Sequence, residues 1–279
     1  MKRSMSLFSG TTLLGACLVA SQLAVAAAEP LRVRMLLVGP DTAEYTSHRN
    51  GAVLGQSEGN IQGRFLGIDY VLDAVSVDEA LAASEGISAV IVADGREQLM
   101  RVLDHYAPLD VPVFNITLDD MDLREQCIGG LFHTAPSAKM LADAEAQWAQ
   151  THDGEKVNAI AWHPEFVKFA GRDLNKRYTA QFDVAMDSAA WAGWAATRSV
   201  AEAVVRTQSA DPAGIDALLQ DGLVFDGQKG LNQTFRNNGQ LRQPLLLVDA
   251  SGKLVGEAPV RGVANVDELD SLGLPGCTR

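Results

Sequence analysis

Cysteine, aromatic residues and positive charge are all scarce in this sequence. Its 279 residues include three cysteines, 6% aromatics, and 23 Lys and Arg against 35 Asp and Glu, for a formal net charge of −12. The shortage of cations argues against a nucleic-acid partner, because phosphate recognition needs a basic face. No Cys-x-x-Cys pair exists, so the cysteines do not form a zinc site of the usual spacing. The five histidines (His48, His105, His133, His152, His163) show no H-E-x-x-H pattern, and no G-x-x-x-x-G-K-[ST] loop is present. Metal-assisted and nucleotide hydrolysis therefore lack their motifs, and neither a metal nor a cofactor is expected. Beyond residue 28, no stretch is long and apolar enough to span a bilayer.

What is present is ordinary globular composition, with 47% hydrophobic and 21% charged residues. That excludes a disordered chain and provides for one large domain or two smaller ones. The first 28 residues form a secretory signal pattern. Lys2 and Arg3 precede a mostly apolar run from Leu7 to Leu23, and Ala24 to Ala28 offers small-residue cleavage sites. Leu14-Gly15-Ala16-Cys17 also has the form of a lipobox, the alternative in which Cys17 carries a lipid. Either way the protein is exported, to the periplasm. With Cys17 removed, Cys127 and Cys277 remain as an even pair in an oxidising compartment. A disulfide is the favoured state over two buried thiols.

From Leu31 onward strands and helices alternate. Strand patterns occupy 31–38, 67–75, 87–93, 111–116 and 131–134, with helical patterns between them. The segment Ile87 to Ala93 is β-branched and uncharged, which suits a central strand. Repeated units of this length predict an α/β fold with a parallel sheet and helices on both faces. In the helical segment 42–65, Val53, Leu54, Ile61 and Phe65 are expected to form the apolar side. Further helices are expected at 137–150, 172–182 and 188–207, and one capped by Asp211-Pro212. Short strands at 157–162, 223–225, 245–248 and 253–255 complete the chain.

Ligands of parallel sheets collect at the carboxyl ends of the strands. Those ends carry Asp94 and Gly95, Asn115 and Thr117, and His133 and Thr134. These six are the candidate ligand-binding residues. Asp94 disfavours a simple anion, so a zwitterion or a hydroxyl-bearing solute fits the set better. A protonated His133 would meet a carboxylate and lose hold of it above about pH 6.5. Gly55-Gln56-Ser57-Glu58-Gly59 matches the nucleophile-elbow pattern G-x-S-x-G, but no strand turns sharply into a helix there. Ser57 is expected to be a solvent-facing helical residue, and an enzyme is not expected. In Thr117 to Asp122 the glycine and distal glutamate of a calcium loop are missing, so Asp119 or Asp120 is expected to cap a short turn.

Several segments carry a family resemblance. They are Cys127 with Leu131-Phe132-His133-Thr134-Ala135-Pro136-Ser137, Trp162-His163-Pro164, and Asp173-Leu174-Asn175-Lys176-Arg177-Tyr178. Trp191-Ala192-Gly193-Trp194-Ala195-Ala196, Gly239-Gln240-Leu241-Arg242-Gln243-Pro244 and Glu268-Leu269-Asp270-Ser271-Leu272-Gly273 continue the series. In this order they resemble periplasmic substrate-binding proteins of ABC transporters found with pyrroloquinoline-quinone-dependent alcohol oxidation. These are of the type I, branched-chain-amino-acid-like class, and the resemblance runs from about Arg32 to the C-terminus. It implies two α/β lobes closing on a small polar solute, with an ABC permease or a quinoprotein dehydrogenase as partner. One departure stands out. Only about a dozen residues separate Gln150 from Trp162, too few for a strand–helix unit of roughly 30 residues. A much reduced second lobe is therefore expected. The implied division is a signal peptide at 1–28, lobe one at 29–134 plus 171–221, a lobe-two remnant and hinge at 135–170 plus 222–257, and a tail at 258–279. The reduction is also expected to bare the helix face with Met140, Leu141 and Trp148, favouring a homodimer or a stable heterologous complex. The competing reading is a protein-interaction module that docks to a dehydrogenase or permease without capturing a small ligand.

Overall fold

A computed structural model describes residues 29–277 apart from 41, 84 and 154, so the signal-peptide and lipobox segments lie outside the described residues. The larger layer is built from β1 (Leu31–Val38), α1 (Ala43–Leu66), β2 (Ile68–Val75), α2 (Val77–Ala82), β3 (Ala89–Val92), α3 (Arg96–Tyr106), β4 (Val113–Asn115), α4 (Asp122–Glu125) and β5 (Leu131–His133). Its five strands are all parallel, in the order β2-β1-β3-β4-β5, with β3 in the centre as its composition predicts. Alternate strand residues serve opposite faces. Val33, Met35, Leu37, Ile91, Phe114 and Phe132 join one core, while Leu36, Val38, Val90, Val92, Val113 and Leu131 join the other. The chain continues through α5 (Ala138–Thr151), β6 (Asn158–Ile160), α6 (Gly171–Phe182), α7 (Ser188–Thr207) and α8 (Pro212–Asp221). Helices α1, α6, α7 and α8 supply the first core, and α2 and α3 the second. The result is the expected α/β architecture.

Helix α1 bears out its expected apolar side at Leu54, which is buried in the first core, but not at its C-terminal end. Ile61 and Phe65 are 60% and 88% exposed, whereas the face towards α7 is made of small residues. A Cβ on Gly51 would lie 1.8 Å from the Ala190 carbonyl oxygen, and one on Gly193 would lie 2.3 Å from that of His48. The two helices thus meet backbone to backbone, an approach that the absence of side chains permits.

The smaller layer holds β7 (Phe225–Asp226) and β8 (Asn232–Gln233), a short antiparallel ribbon, together with β9 (Leu245–Val248) and β10 (Leu254–Ala258). Strands β10, β9 and β6 form an antiparallel sheet in that order. It packs on α5 through Met140, Ala144, Trp148, Leu245 and Leu247. The expectation of a bare α5 face is therefore corrected: Met140 and Trp148 are buried and Leu141 packs beside them. The ground for a homodimer built on that face disappears with it. Ala258, Val260 and Leu272 belong to the same core, so the stretch after 257 is integrated by burial. A disulfide joins Cys127 to Cys277.

Between the layers, residues 239–241 run beside β5. The amide of His133 donates to the Gly239 carbonyl at 2.8 Å, and that of Leu241 to the His133 carbonyl at 2.9 Å. Gly239 has φ 77°. A Cβ there would lie 1.9 Å from the Leu131 carbonyl oxygen, so glycine is required on both counts.

Candidate functional site

Strand order reverses between β1 and β3: the chain steps outward from β1 to β2, then returns to the other side of β1. Such a switch point opens a crevice at the carboxyl ends of the two strands. The cavity at the switch point measures about 240 Å³. Pro40 follows β1, Ala93, Asp94 and Gly95 follow β3, and Thr117 follows β4 around it. The opposite wall is the first turns of α1, with Thr42, Tyr45 and His48.

Each wall has a local cause. Thr42 caps α1, its hydroxyl accepting from the Tyr45 amide at 3.3 Å. The Tyr45 hydroxyl donates to the Leu37 carbonyl at 3.2 Å, which ties the helix start to β1. Nε2 of His48 stands 3.5 Å from the Thr117 hydroxyl. Gly95 caps α3 without a side-chain hydrogen bond, leaving first-turn N–H groups for solvent or ligand. The Asp94 carboxylate accepts from the Gly95 amide at 2.6 Å. Amide donors and a carboxylate thus lie side by side, and a solute bearing both acceptors and donors matches that arrangement.

Of the six residues singled out in the sequence, the structure brings Asp94, Gly95 and Thr117 to this cavity. Asn115 is buried behind it. Its Oδ1 accepts from the amides of Thr117 and Leu118 at 3.1 and 2.8 Å, and its Nδ2 donates to the Leu118 carbonyl at 2.8 Å. Asn115 therefore shapes the loop that carries Thr117. His133 and Thr134 have no exposed surface. The Thr134 hydroxyl donates to the Ala192 carbonyl at 2.9 Å. Nδ1 of His133 lies 3.0 Å from Asn115 Nδ2 and accepts from it in the neutral ring. Burial, with the Arg124 guanidinium second, holds the His133 ring well below the ordinary histidine range. The expected charge switch near pH 6.5 is corrected accordingly: a neutral, enclosed ring does not meet a ligand carboxylate.

Other motifs also settle into place. Ser57 lies inside α1 and donates to the Val53 carbonyl at 2.9 Å, a helical back-bond with no strand before it. Neither Asp119 nor Asp120 caps α4, whose N-cap is Met121 without a side-chain bond. Asp120 and Asp122 instead pair with Arg96, because its guanidinium stands opposite them. Among the described residues no cluster of three or more His, Cys, Asp or Glu could hold a metal. Among the same residues no helix is long and apolar enough to cross a membrane. Reasoning from strand ends missed Thr42, Tyr45 and His48. Their spacing of three residues at the start of a helix that follows β1 is the signal that could have found them, since it sets all three on one face.

No protein-family model matches the sequence, and neither does any curated protein. Solved structures do match. An ABC transporter substrate-binding protein from Desulfitobacterium hafniense aligns with a TM-score of 0.66 and 14% identity, over 80% of this chain and 99% of its own. A possible leucine/isoleucine/valine-binding protein from Rhodopirellula baltica gives 0.67 and 10%, over 88% and 99%. The branched-chain amino acid transporter substrate-binding protein of Streptococcus pneumoniae, solved with isoleucine, gives 0.63 and 11%, over 82% and 98%. At such identities the likeness is one of fold: the chain has the fold of type I periplasmic binding proteins.

Proposed function

We propose that this protein is the periplasmic solute-binding component of an ABC transport system, or an accessory derived from one. The observation that carries the reading is the cavity at the switch point, walled by Asp94, Gly95 and Thr117 on the strand side and His48 on the helix side. That is where an open parallel sheet accepts a small ligand. The fold shared with substrate-binding proteins, one of them solved with isoleucine, supports the same reading. The sequence resemblance adds a link to quinoprotein alcohol oxidation, with a permease or dehydrogenase as partner. The signal pattern adds export. The three-stranded sheet with α5 is taken as the reduced second lobe. Asp94 beside the free amides of the α3 start favours a zwitterion or a hydroxylated solute over a simple acid.

A thermal-shift screen of amino acids, alcohols, aldehydes, carboxylates and pyrroloquinoline quinone, followed by titration calorimetry, tests this directly. A solute whose affinity drops about tenfold or more in Asp94→Ala, the size of one charge-assisted hydrogen bond, supports the reading. A solute that binds with unchanged affinity in Asp94→Ala and Thr117→Ala removes the site assignment. Docking without capture is the second reading, and exposed Ile61 and Phe65, one helical turn apart on α1, favour it. A partner retained from periplasmic extract by the wild type and lost in Phe65→Ser would support it.

A further inference from the structure

A second cavity, of about 330 Å³, opens between the loop after β6 and the smaller sheet. It shares no wall with the switch-point cavity. At its floor lies Lys229, only 2% exposed. Its Nζ donates to Gln243 Oε1 at 2.9 Å and to the Pro244 carbonyl at 3.1 Å, and stands 3.6 Å from the centre of the Trp191 ring. Both acceptors are neutral, so among the described residues no carboxylate pairs with this ammonium group. Buried charges ordinarily have such a partner. Burial alone pushes the Lys229 amine well below the usual lysine range, and a carboxylate bound beside it would restore the protonated form.

The rest of the wall has a definite character. Arg261 and Lys168 stand at the cavity, and its only acid, Glu257, is already paired with Lys168. In a chain with a net charge of −12, this is a local excess of cations. Between them the lining is apolar, with Leu231, Pro259 and Val266. Phe169 lies across Gly230, close enough that a Cβ there would fall 2.6 Å from the ring. Phe169 takes left-handed backbone, at φ 51°. Such conformations in non-glycine residues concentrate at ligand clamps.

We infer that this cavity binds a small monocarboxylate with an apolar body, its carboxylate supplying the counter-charge that Lys229 lacks and its body resting against Phe169, Leu231 and Val266. The carboxylate enters a site in which one donor is buried and fixed, and Arg261 at the mouth draws it in. The site is independent of the switch-point cavity and of the transport reading.

The probe is phenylacetate, with phenylacetamide as its uncharged counterpart, titrated calorimetrically into the full chain. Wild type is expected to bind phenylacetate at least about tenfold more tightly than the amide. Lys229→Met is expected to lose about tenfold or more, and Arg261→Gln about threefold. Asp94→Ala should leave the affinity unchanged. Should Lys229→Met fail to fold, which its melting curve would show, the amide comparison and Arg261→Gln carry the test. Equal affinity for acid and amide, no binding of the acid at about 10 mM, a loss confined to Asp94→Ala, or full affinity in a folded Lys229→Met would each overturn the inference.

Discussion

The two layers are held together by different physics. In the larger one, strands that are apolar on both faces sit between helices, and two hydrophobic clusters fill the interior around a minority of short polar side chains such as Ser88, Asn115, Thr197 and Ser199. Around the smaller layer and its junction, the interior is crowded with polar side chains: Arg124, Gln147, Lys229, Arg236, Gln240 and Gln243 are all buried. Each is engaged. Arg124 donates to Gln240 Oε1 and to the carbonyls of Leu118, Asp120 and Ala135. Gln240 Nε2 reaches the His133 and Ala135 carbonyls, and Gln243 Nε2 the Thr134 carbonyl. Gln147 and Arg236 tie the chain after 257 in the same manner. Apolar burial is non-directional, and it tolerates sliding. Buried hydrogen bonds fix position. The large layer is therefore a generic platform for a cavity, while the junction is the part that specifies how the small layer sits upon it.

Breaking the junction should cost most. Arg124→Met is expected to destabilise the protein by about 3–5 kcal/mol in urea unfolding, because Gln240 Oε1 and the Asp120 carbonyl lose their donor and the Leu118 and Ala135 carbonyls each lose one of two. A loss below about 1 kcal/mol would mean that the network contributes little. Reduction of Cys127–Cys277, which spans 150 residues, should cost about 2–5 kcal/mol and lower the unfolding midpoint. The oxidised protein should weigh about 2 Da less than the reduced one, since the bridge lacks two hydrogens. In the large layer, Gly193→Ala presses a methyl group onto the His48 carbonyl and should cost about 1–3 kcal/mol, read as a lower melting temperature.

A smaller effect concerns pH. Burial raises the Asp216 carboxyl to about 6, with the Asp110 charge adding to it. The folded state then holds its proton longer than the unfolded chain, so this group's contribution to stability falls as pH rises from about 4 to about 6 and is level above. Asp216→Asn should remove that fall and gain about 1 kcal/mol at pH 7, with no gain at pH 4. Melting temperatures of both proteins across that range check the sign.

Legibility in the sequence follows the same division. Continuous apolar runs made β1 and β3 plain, and Asp211-Pro212 announced α8, where the Asp211 carboxylate accepts from the Gly214 amide at 3.1 Å. Hydrophobic periodicity places α1 and its buried Leu54 but carries the apolar side on to Ile61 and Phe65, away from the face that meets α7. It weights large apolar residues, whereas this face packs through Gly51 and Ala52. The two-residue strand β8 was missed, because ribbons that short have no period. At the strand ends, residue type showed that Asp94, Asn115, Thr117 and His133 are polar. It could not show which way each one points. Asn115 and His133 are register partners on adjacent strands and turn to each other, away from the cavity. Lys229 gave no signal, since a lone lysine reads as surface until its neighbours are known.

The central claim is that the carboxyl edge of β1, β3 and β4 captures a small solute. Amide chemical-shift mapping of the isotopically labelled protein, with a solute taken from the thermal-shift screen, tests it most directly. The account predicts saturable shifts at Gly95, Arg96, Thr117 and His48, with the β6–β9–β10 sheet unmoved. Saturable shifts confined to that smaller sheet, with none at the strand ends, would contradict it.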